Sequence, residues 1–295
     1  MDNLLSGLAK FGLDEGAANN LFEDDNVIKK QNEDGSITRE IAIPKEEEFL
    51  LLKMVRCPIC DAAFRTIQIK SGRAKRKEPD LDLRPCFEYI DVNKYDVASC
   101  PKCGFTALHR FCGPLPSVQL RFIKEGVCDK FKTPPTKEIT EIKTYTYDES
   151  LELLKLALYT SVVKKAKNSE KAYTCLKIAW VLRGKIEELA KDKEKNKDAI
   201  VAAQKEYMTF YTQAYDGFMK AMSSESYPLC GMDANTVDLL IAAMAFNLGK
   251  YDQASRFVSS LIVSRNAGSN IKNRAHELKI KILDKMKEQR VTKKE

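Results

Sequence analysis

Two pairs of cysteines are the residues whose types and spacing most directly indicate chemistry. The first pair is Cys57 and Cys60, the second is Cys100 and Cys103, and a proline follows the first cysteine of each pair. Two intervening residues let both sulfur atoms of a pair turn toward one ion, and four thiolates are the usual shell of a structural zinc ion. Because protein would fill all four positions, none stays open for a catalytic water. The spacing therefore predicts one structural Zn²⁺ bound by these four cysteines.

The residues around each pair favour a metal site. Gly104 follows the second pair and permits the backbone to turn with its amides facing the sulfur atoms, and Asp61 stands in the matching position after the first pair, where aspartate also tolerates that conformation. The spacer at residues 61–99 is longer than in a compact zinc ribbon, so a substantial insertion lies between the pairs. The alternative is that one pair is a redox dithiol. Two pairs in a strand-rich region without a βαβ pattern argue against that alternative.

The remaining cysteines and the histidines give weaker signals. The chain has nine cysteines and two histidines. His109 and Cys112 follow the second pair closely, but the four-thiolate set is complete without them. We therefore predict that they are packing or surface residues.

The insertion between the two pairs carries a run of basic residues. Its members are Lys70, Arg73, Lys75, Arg76 and Lys77. One interpretation is a phosphate-contacting loop that binds nucleic acid. The other is a solvated loop on a basic protein, and on the sequence pattern we favour it.

Acidic and apolar residues alternate shortly after this run. The residues are Asp80-Leu-Asp82-Leu-Arg84, followed by a proline. One interpretation is an internal ion-pair network that fixes the insertion. The alternative is a small acidic site, because two carboxylates two residues apart on an extended strand point to the same face and could share a cation. No nucleophile or histidine stands nearby, so we do not interpret them as a catalytic dyad, and we expect a non-enzymatic protein.

The formal net charge of +7 is unevenly distributed along the 295 residues. Residues 1–49 carry a net charge of −7, residues 50–134 carry +7 and residues 135–295 carry +7. The first segment has too little apolar surface to offset the entropy of ordering it, so we predict an acidic, largely flexible tail. Residues 4–13 within it could form a short amphipathic helix that docks on the body or on a partner.

Three further segments follow the tail. Residues 50–134 contain short apolar runs typical of strands and are predicted to form a zinc-ribbon-like domain, which ends at Pro134 and Pro135. Apolar and polar residues alternate only weakly along residues 135–147, which we assign to a connector. Residues 148–290 have apolar residues at steps of three and four, which predicts about six helices joined by short turns.

One turn in the helical segment matches a tetratricopeptide repeat. Ala242, Gly249, Tyr251 and Ala254 stand at the small, turn, aromatic and small positions of that motif. Earlier helical pairs match only loosely, so the alternative is an ordinary helical bundle that contains one such turn. We favour a tetratricopeptide-like array of helical hairpins, whose concave face commonly binds a peptide or protein.

Several short motifs occur together along residues 50–264. They are CPIC, F-x-x-x-x-I-K-x-G, DLDLRP, NKYDV, CPKCG-F-x-A-L, YTYDESL and KAYTCLKIAW. In combination they resemble a bacterial family of uncharacterised proteins, the domain-of-unknown-function family twenty-two twenty-five. The resemblance implies a zinc-ribbon-like region fused to tetratricopeptide-like helices, with Cys57, Cys60, Cys100 and Cys103 as metal ligands. It implies no established activity.

Composition argues against several classes of protein. No apolar run approaches the roughly 18 residues of a membrane-spanning helix. Asp2, Asn3 and Ser6 interrupt any signal-peptide core near the start. The odd number of cysteines and the chain length argue against a secreted disulfide scaffold. We expect a cytoplasmic protein with reduced thiols.

The sequence thus predicts an α+β protein, in which a small zinc-ribbon-like β domain precedes an all-α, tetratricopeptide-like array. The leading functional hypothesis is a module whose array binds a protein or peptide. The alternative is nucleic-acid binding through the basic zinc-ribbon-like domain, although a tetrathiolate zinc site contributes about −2 and reduces the charge of that domain. We expect no membrane partner.

Overall fold

The computed structural model comprises two compact units, Met1–Glu48 and Phe49–Glu295. The residues that it describes are 9–12, 27–31, 37–41, 43–131 and 138–292. Most of the predicted helix at residues 4–13 lies outside them, as do Pro134 and Pro135. No helix within the described ranges is long and apolar enough to cross a lipid bilayer.

The first unit contains a short 3-10 turn at Ala9–Phe11 and a hairpin. Strand β1 (Val27–Gln31) pairs antiparallel with β2 (Ile37–Ile41), so that Val27 lies opposite Ile41. The sequence pattern predicts a largely flexible tail here and does not predict the hairpin. Two short strands in an acidic segment with few apolar residues give little alternation to recognise.

Within its described residues, the β part of the second unit consists of two short hairpins. Strand β3 (Leu50–Arg56) pairs antiparallel with β4 (Ala63–Ile69), and β5 (Val97–Ser99) pairs antiparallel with β6 (Thr106–Leu108). Each hairpin has one CxxC pair at its turn. The other short elements around them are 3-10 turns at Glu46–Phe49, Val92–Tyr95 and His109–Phe111, helix α1 (Ser117–Ile123) and a π-helical turn at Lys124–Cys128.

Six longer helices follow in the described part of the second unit. They are α2 (Tyr147–Val163), α3 (Asn168–Leu189, continued by a 3-10 turn at Ala190–Asp192), α4 (Lys197–Ser224), α5 (Ala234–Asn247), α6 (Tyr251–Val263) and α7 (Ser269–Thr292). A reciprocal cap starts α2, because the Glu149 amide donates to Thr146 Oγ1 at 3.2 Å and the Thr146 amide donates to the Glu149 carboxylate at 2.8 Å. The predicted α+β fold class is confirmed.

The turn between α5 and α6 has the local geometry expected at Gly249. Helix α5 ends in a Schellman motif, in which Gly249 has φ of +73° and the Lys250 amide donates to the Ala245 carbonyl at 2.8 Å. Ala242 and Ala254 are completely buried in the helical core. Helices α3 and α4 have 22 and 28 residues, whereas α5 and α6 have 14 and 13, so the helical pairs are not uniform repeats.

Buried polar contacts fix the β part to the helices. Lys177 of α3 forms an ion pair with Asp96 at 2.7 Å, and Lys94 donates to the Tyr145 carbonyl at 2.9 Å. Ser150 of α2 donates to the Lys94 carbonyl at 3.0 Å. Both lysines are buried, and a buried charge is tolerated only when it is paired or hydrogen-bonded. The motifs NKYDV, YTYDESL and KAYTCLKIAW therefore meet at one interface.

Candidate metal centre and the acidic loop

The four predicted ligands lie at the turns of the two hairpins. Their Sγ atoms are all within 4.8 Å of one another. Cys57 Sγ is 3.6 Å from Cys103 Sγ, and Cys60 Sγ is 3.7 Å from Cys100 Sγ. No other group of three or more histidine, cysteine or acidic side chains within the described ranges could hold a metal ion. Each hairpin thus contributes two sulfur atoms to one cluster.

The two CxxC turns share the same backbone hydrogen bonds. The Cys57 amide donates to the Ala62 carbonyl at 2.9 Å, and the Asp61 amide donates to the Cys57 carbonyl at 3.0 Å. The second turn repeats both bonds, at 2.8 and 3.0 Å, with Cys100 and Gly104 in place of Cys57 and Asp61. Asp61 has φ of +58° and Gly104 has φ of +76°, the left-handed conformation that the sequence predicts at both positions.

The spacing of the four sulfur atoms is compatible with a tetrahedral ion. Four Zn–S bonds of about 2.3 Å would place the sulfur atoms about 3.8 Å apart, close to the observed 3.6 and 3.7 Å. Contact with Cys103 and Cys57 lowers the pKa of Cys100, whereas contact with Cys100 raises the pKa of Cys57 and of Cys103. The neighbouring sulfur atoms therefore oppose ionisation of Cys57 and Cys103, and a bound cation would offset that opposition.

Two further cysteines lie beside the cluster. Burial raises the pKa of Cys128, and it raises the pKa of Cys112 to about 12. Cys112 Sγ donates to the Ala107 carbonyl at 3.6 Å. Both side chains pack against the apolar core around the hairpins and remain neutral thiols.

The end of the basic run and the acidic residues belong to one element, residues 75–88, which we call the 75–88 loop. Its two sides are joined by hydrogen bonds such as the one from the Lys77 amide to the Cys86 carbonyl at 2.9 Å. At its tip the Leu83 amide donates to the Asp80 carbonyl at 2.9 Å, and Leu83 has φ of +65°. The tip is therefore a tight turn and not the extended strand assumed for a shared cation site, because the turn hydrogen bond and the left-handed residue reverse the chain.

Asp82, at this tip, is completely buried against the helices. Its carboxylate accepts two hydrogen bonds from the Arg183 guanidinium, one from the Trp180 indole at 3.3 Å and one from the Tyr211 hydroxyl at 3.0 Å. Asn247 of α5 donates in turn to the Tyr211 hydroxyl at 2.8 Å. One carboxylate thus links α3, α4 and α5, and we call Trp180, Arg183 and Tyr211 the Asp82 pocket.

Asp80 and Arg84 extend this arrangement into an ion-pair network. Arg84 donates to Asp80 at 2.6 Å and, with both terminal nitrogens, to Glu187 of α3 at 2.6 and 3.2 Å. Arg183 also donates to Asp80 at 2.9 Å. Burial of Asp80 opposes its charge, but Arg84 and Arg183 outweigh burial and lower the pKa of Asp80. Since arginines already bind both aspartates, the geometry favours the ion-pair interpretation over a cation site.

The basic side chains of the insertion lie on the protein surface. Lys70, Arg73, Lys75, Arg76 and Lys77 are all exposed. Lys75 pairs with Glu88 across the loop at 3.4 Å. Exposure of this kind is compatible both with a solvated loop and with contacts to phosphate groups.

The sequence pattern does not identify the residues that bind the acidic tip. Trp180 is 98 positions from Asp82 in the chain, and Tyr211 is 129 positions from it. The only hint in the sequence is that the KAYTCLKIAW motif ends at Trp180, one helical turn before Arg183. The pairing of this motif with DLDLRP depends on how the chain packs.

Comparison with known protein families supports the family resemblance that the short motifs indicate. Residues 50–282 match the family model DUF2225, described as an uncharacterized protein conserved in bacteria. The matched region includes the four cysteines, the 75–88 loop and the Asp82 pocket. No curated protein matches the chain, and no solved structure matches it. Because the match covers well over half of the chain, the protein belongs to the DUF2225 family.

Proposed function

We propose that the protein is a non-enzymatic, zinc-stabilised interaction protein whose helical array binds a loop of a protein partner with an aspartate at its tip. The observation that carries this proposal is the binding of the 75–88 loop by the helices of the same chain. Asp82 is 0% exposed and accepts hydrogen bonds from all three side chains of its pocket. A bidentate arginine and two neutral donors in a desolvated pocket select a carboxylate over a neutral group.

Contacts beyond the carboxylate support recognition of a loop. Arg274 of α7 donates to the carbonyl groups of Pro79 and Asp80, at 3.2 and 2.5 Å. Leu81 and Leu83 are half-buried and pack against the helical core. A carboxylate, backbone carbonyls and apolar side chains are the features that peptide-binding surfaces combine. The repeat-like turn at Gly249 supports the same proposal, since such arrays commonly bind peptides.

A structural zinc ion gives the four cysteines a role in this function. Cys60 precedes the 75–88 loop and Cys100 follows it. A closed tetrathiolate site contributes folding free energy and leaves no position for a nucleophilic water. In the proposal, the ion holds both ends of the insertion so that its loop reaches the array. Reduced thiols require a reducing compartment, so the proposal places the protein in the cytoplasm.

A peptide with the sequence of residues 75–88, with serine in place of Cys86, tests this function. In the wild-type chain the resident loop competes as a tethered ligand at high effective concentration. Substituting Asp82→Asn weakens the resident loop and leaves the pocket side chains intact. We expect the labelled peptide to bind the full-length, zinc-loaded variant at least about tenfold more tightly than the wild-type chain, measured by fluorescence anisotropy.

Two controls define the result. A peptide with asparagine at both aspartate positions should bind neither chain, and the double variant Asp82→Asn/Arg183→Met should not bind the peptide that keeps both aspartates. If the folded Asp82→Asn chain binds the aspartate peptide and the asparagine peptide equally, the array does not recognise the aspartates of a loop and the proposal is wrong.

We propose nucleic-acid binding through the basic run as a second candidate, because its five cationic side chains are exposed together. Neutralising Arg73, Lys75, Arg76 and Lys77 should remove most of the binding in a mobility-shift titration and reduce its salt dependence. The matched control neutralises four exposed lysines of α7, namely Lys279, Lys281, Lys285 and Lys287. Equal losses from both variants would show that the basic run has no special role.

A further inference from the structure

A cleft of about 440 Å³ opens beside the first CxxC turn. Val55 of β3, Phe64 of β4 and Phe105 line its apolar part, and the two phenylalanines are 5% and 1% exposed. The volume lies in the range of small-molecule binding sites. No residue of the Asp82 pocket or of the 75–88 loop lines it, so it is a separate feature of the fold.

The polar part of the cleft is cationic. Lys53 and Arg56 of β3 and Arg110, just after β6, line it, and no aspartate or glutamate does. Arg56 pairs with Asp61 at 2.8 Å, but both side chains are well exposed and such pairs are weak. Arg110 is positioned by a contact over the Tyr173 ring, 4.5 Å from its centroid, and by a hydrogen bond from one guanidinium nitrogen to the Cys230 carbonyl. The charges that face the cleft therefore favour an anion.

His109 also lines this cleft, and its buried ring carries a hydrogen-bonding atom without a partner. Its Nε2 is the only buried side-chain nitrogen or oxygen among the described residues that has no hydrogen-bond partner. The Gln68 amide nitrogen lies 3.3 Å from His109 Nδ1 and can only donate, so Nδ1 accepts and the ring proton is on Nε2. A buried donor without an acceptor is unfavourable. Since Nε2 has almost no accessible surface, a small turn of the ring toward the cleft would be needed for a ligand oxygen to accept from it and relieve that cost.

The imidazole of His109 is neutral at pH 7. Burial lowers its pKa and Lys53 acts in the same direction, whereas Asp96 and the carbonyl groups of Tyr95 and Ile67 oppose them. Neither carbonyl is hydrogen-bonded to Nε2. His109 therefore offers one N–H donor and no charge.

We propose that this cleft binds a phosphate monoester, with Lys53, Arg110 and His109 as its polar contacts. The three cations of the lining, Lys53, Arg56 and Arg110, exceed the single charge of a carboxylate. A phosphate dianion has three terminal oxygens that accept from several donors at once. The apolar part beside Phe64 accommodates the organic group of the ester. This site does not depend on the function proposed for the helical array.

Nuclear magnetic resonance of the full-length, zinc-loaded protein tests the site, because the chain has only two histidines. Inorganic phosphate and adenosine monophosphate are titrated separately at moderate salt. We expect saturable shifts of the His109 imidazole signals with both probes, and tighter binding of the nucleotide because it adds apolar contact. The exposed His276 of α7 is the internal control, and its signals should not move.

Titration calorimetry of variants distinguishes a specific binding site from general attraction to a basic surface. Lys53→Ala should weaken binding about tenfold, whereas Arg65→Ala, which removes an exposed arginine outside the lining, should not. His109→Gln keeps an N–H near the Nε2 position and should retain binding, whereas His109→Asn should lose about tenfold. No saturable shift below about 10 mM of either probe, equal movement of the His276 signals, or equal losses from Lys53→Ala and Arg65→Ala would overturn the proposal.

Discussion

Replacing Asp82 by asparagine should destabilise the protein by about 3 kcal/mol. Removing one partner of a buried ion pair leaves the other charge uncompensated and typically costs about 3–5 kcal/mol. Asp82 is 0% exposed and its partner Arg183 is 20% exposed. Arg183 keeps two other contacts, to Asp80 at 2.9 Å and to the Tyr207 hydroxyl at 2.9 Å, which places the loss at the lower end of that range.

Urea unfolding followed by tryptophan emission is the appropriate assay. Trp180 is the single tryptophan of the chain, and its indole donates directly to Asp82, so its emission reports on the site that is changed. Glu187→Gln is the matched control, because Glu187 also belongs to the network but its side chain is 56% exposed. The control should lose less than about 1 kcal/mol, because the Glu187 side chain is largely solvated and Arg84 keeps its ion pair with Asp80.

A double-mutant cycle with Arg183→Met completes the experiment. The loss caused by Asp82→Asn should shrink by at least about 1 kcal/mol when Arg183 is already replaced, because no buried charge is then left unpaired. If Asp82→Asn costs no more than Glu187→Gln, or if the two changes are additive, the buried pair does not fix the loop and the reasoning fails.

Three further predictions address the metal centre, a turn and the acid dependence of stability. Metal analysis should give one zinc ion per chain, lost in Cys100→Ser; a variant that keeps the full amount would be inconsistent with a four-thiol shell. Gly249→Ala should lower the free energy of unfolding by about 1 kcal/mol because Gly249 has φ of +73°. Gly268→Ala, at a glycine with open space around it, should leave that free energy nearly unchanged, and thermal unfolding of both variants checks this. Folding lowers the pKa of Asp80 from 3.8, so its stabilisation is present above that value and is lost as the pH falls through the lowered pKa. The Asp80→Asn protein should therefore lose less stability than wild type between about pH 5 and about pH 2, and identical acid profiles would contradict this assignment.

The cysteine cluster illustrates how much could be predicted from local pattern. A CxxC turn depends on a few neighbouring residues, so Asp61 and Gly104 already indicate where the backbone turns left-handed. The α5–α6 turn is local in the same way, and Gly249 adopts the predicted conformation. By contrast, the hairpin of β1 and β2 lies in a segment whose composition favours disorder, and the alternation along its strands is too short to outweigh that composition.

The 75–88 loop illustrates what the sequence pattern could not decide. Alternating aspartates are equally compatible with a cation site and with an ion-pair network, because the choice depends on what faces them. Whether Asp82 faces a cation or Arg183 depends on packing between parts of the chain 101 positions apart. The role of His109 also depends on packing. The sequence assigns it to packing or the surface, and only the structure, which brings Gln68 and Lys53 beside its ring, shows that Nε2 has no partner.

By itself, the sequence determined the four clustered cysteines, the α+β class, the helical second half and the family. These properties follow from turn preferences and hydrophobic periodicity, which act between residues close together in the chain. The tertiary structure alone decided that the insertion folds back onto the helices, that its acidic tip fills the Asp82 pocket and that a cationic cleft forms beside the first CxxC turn. Those features depend on burial and on pairing of charges between distant residues, and a local pattern cannot specify such partners.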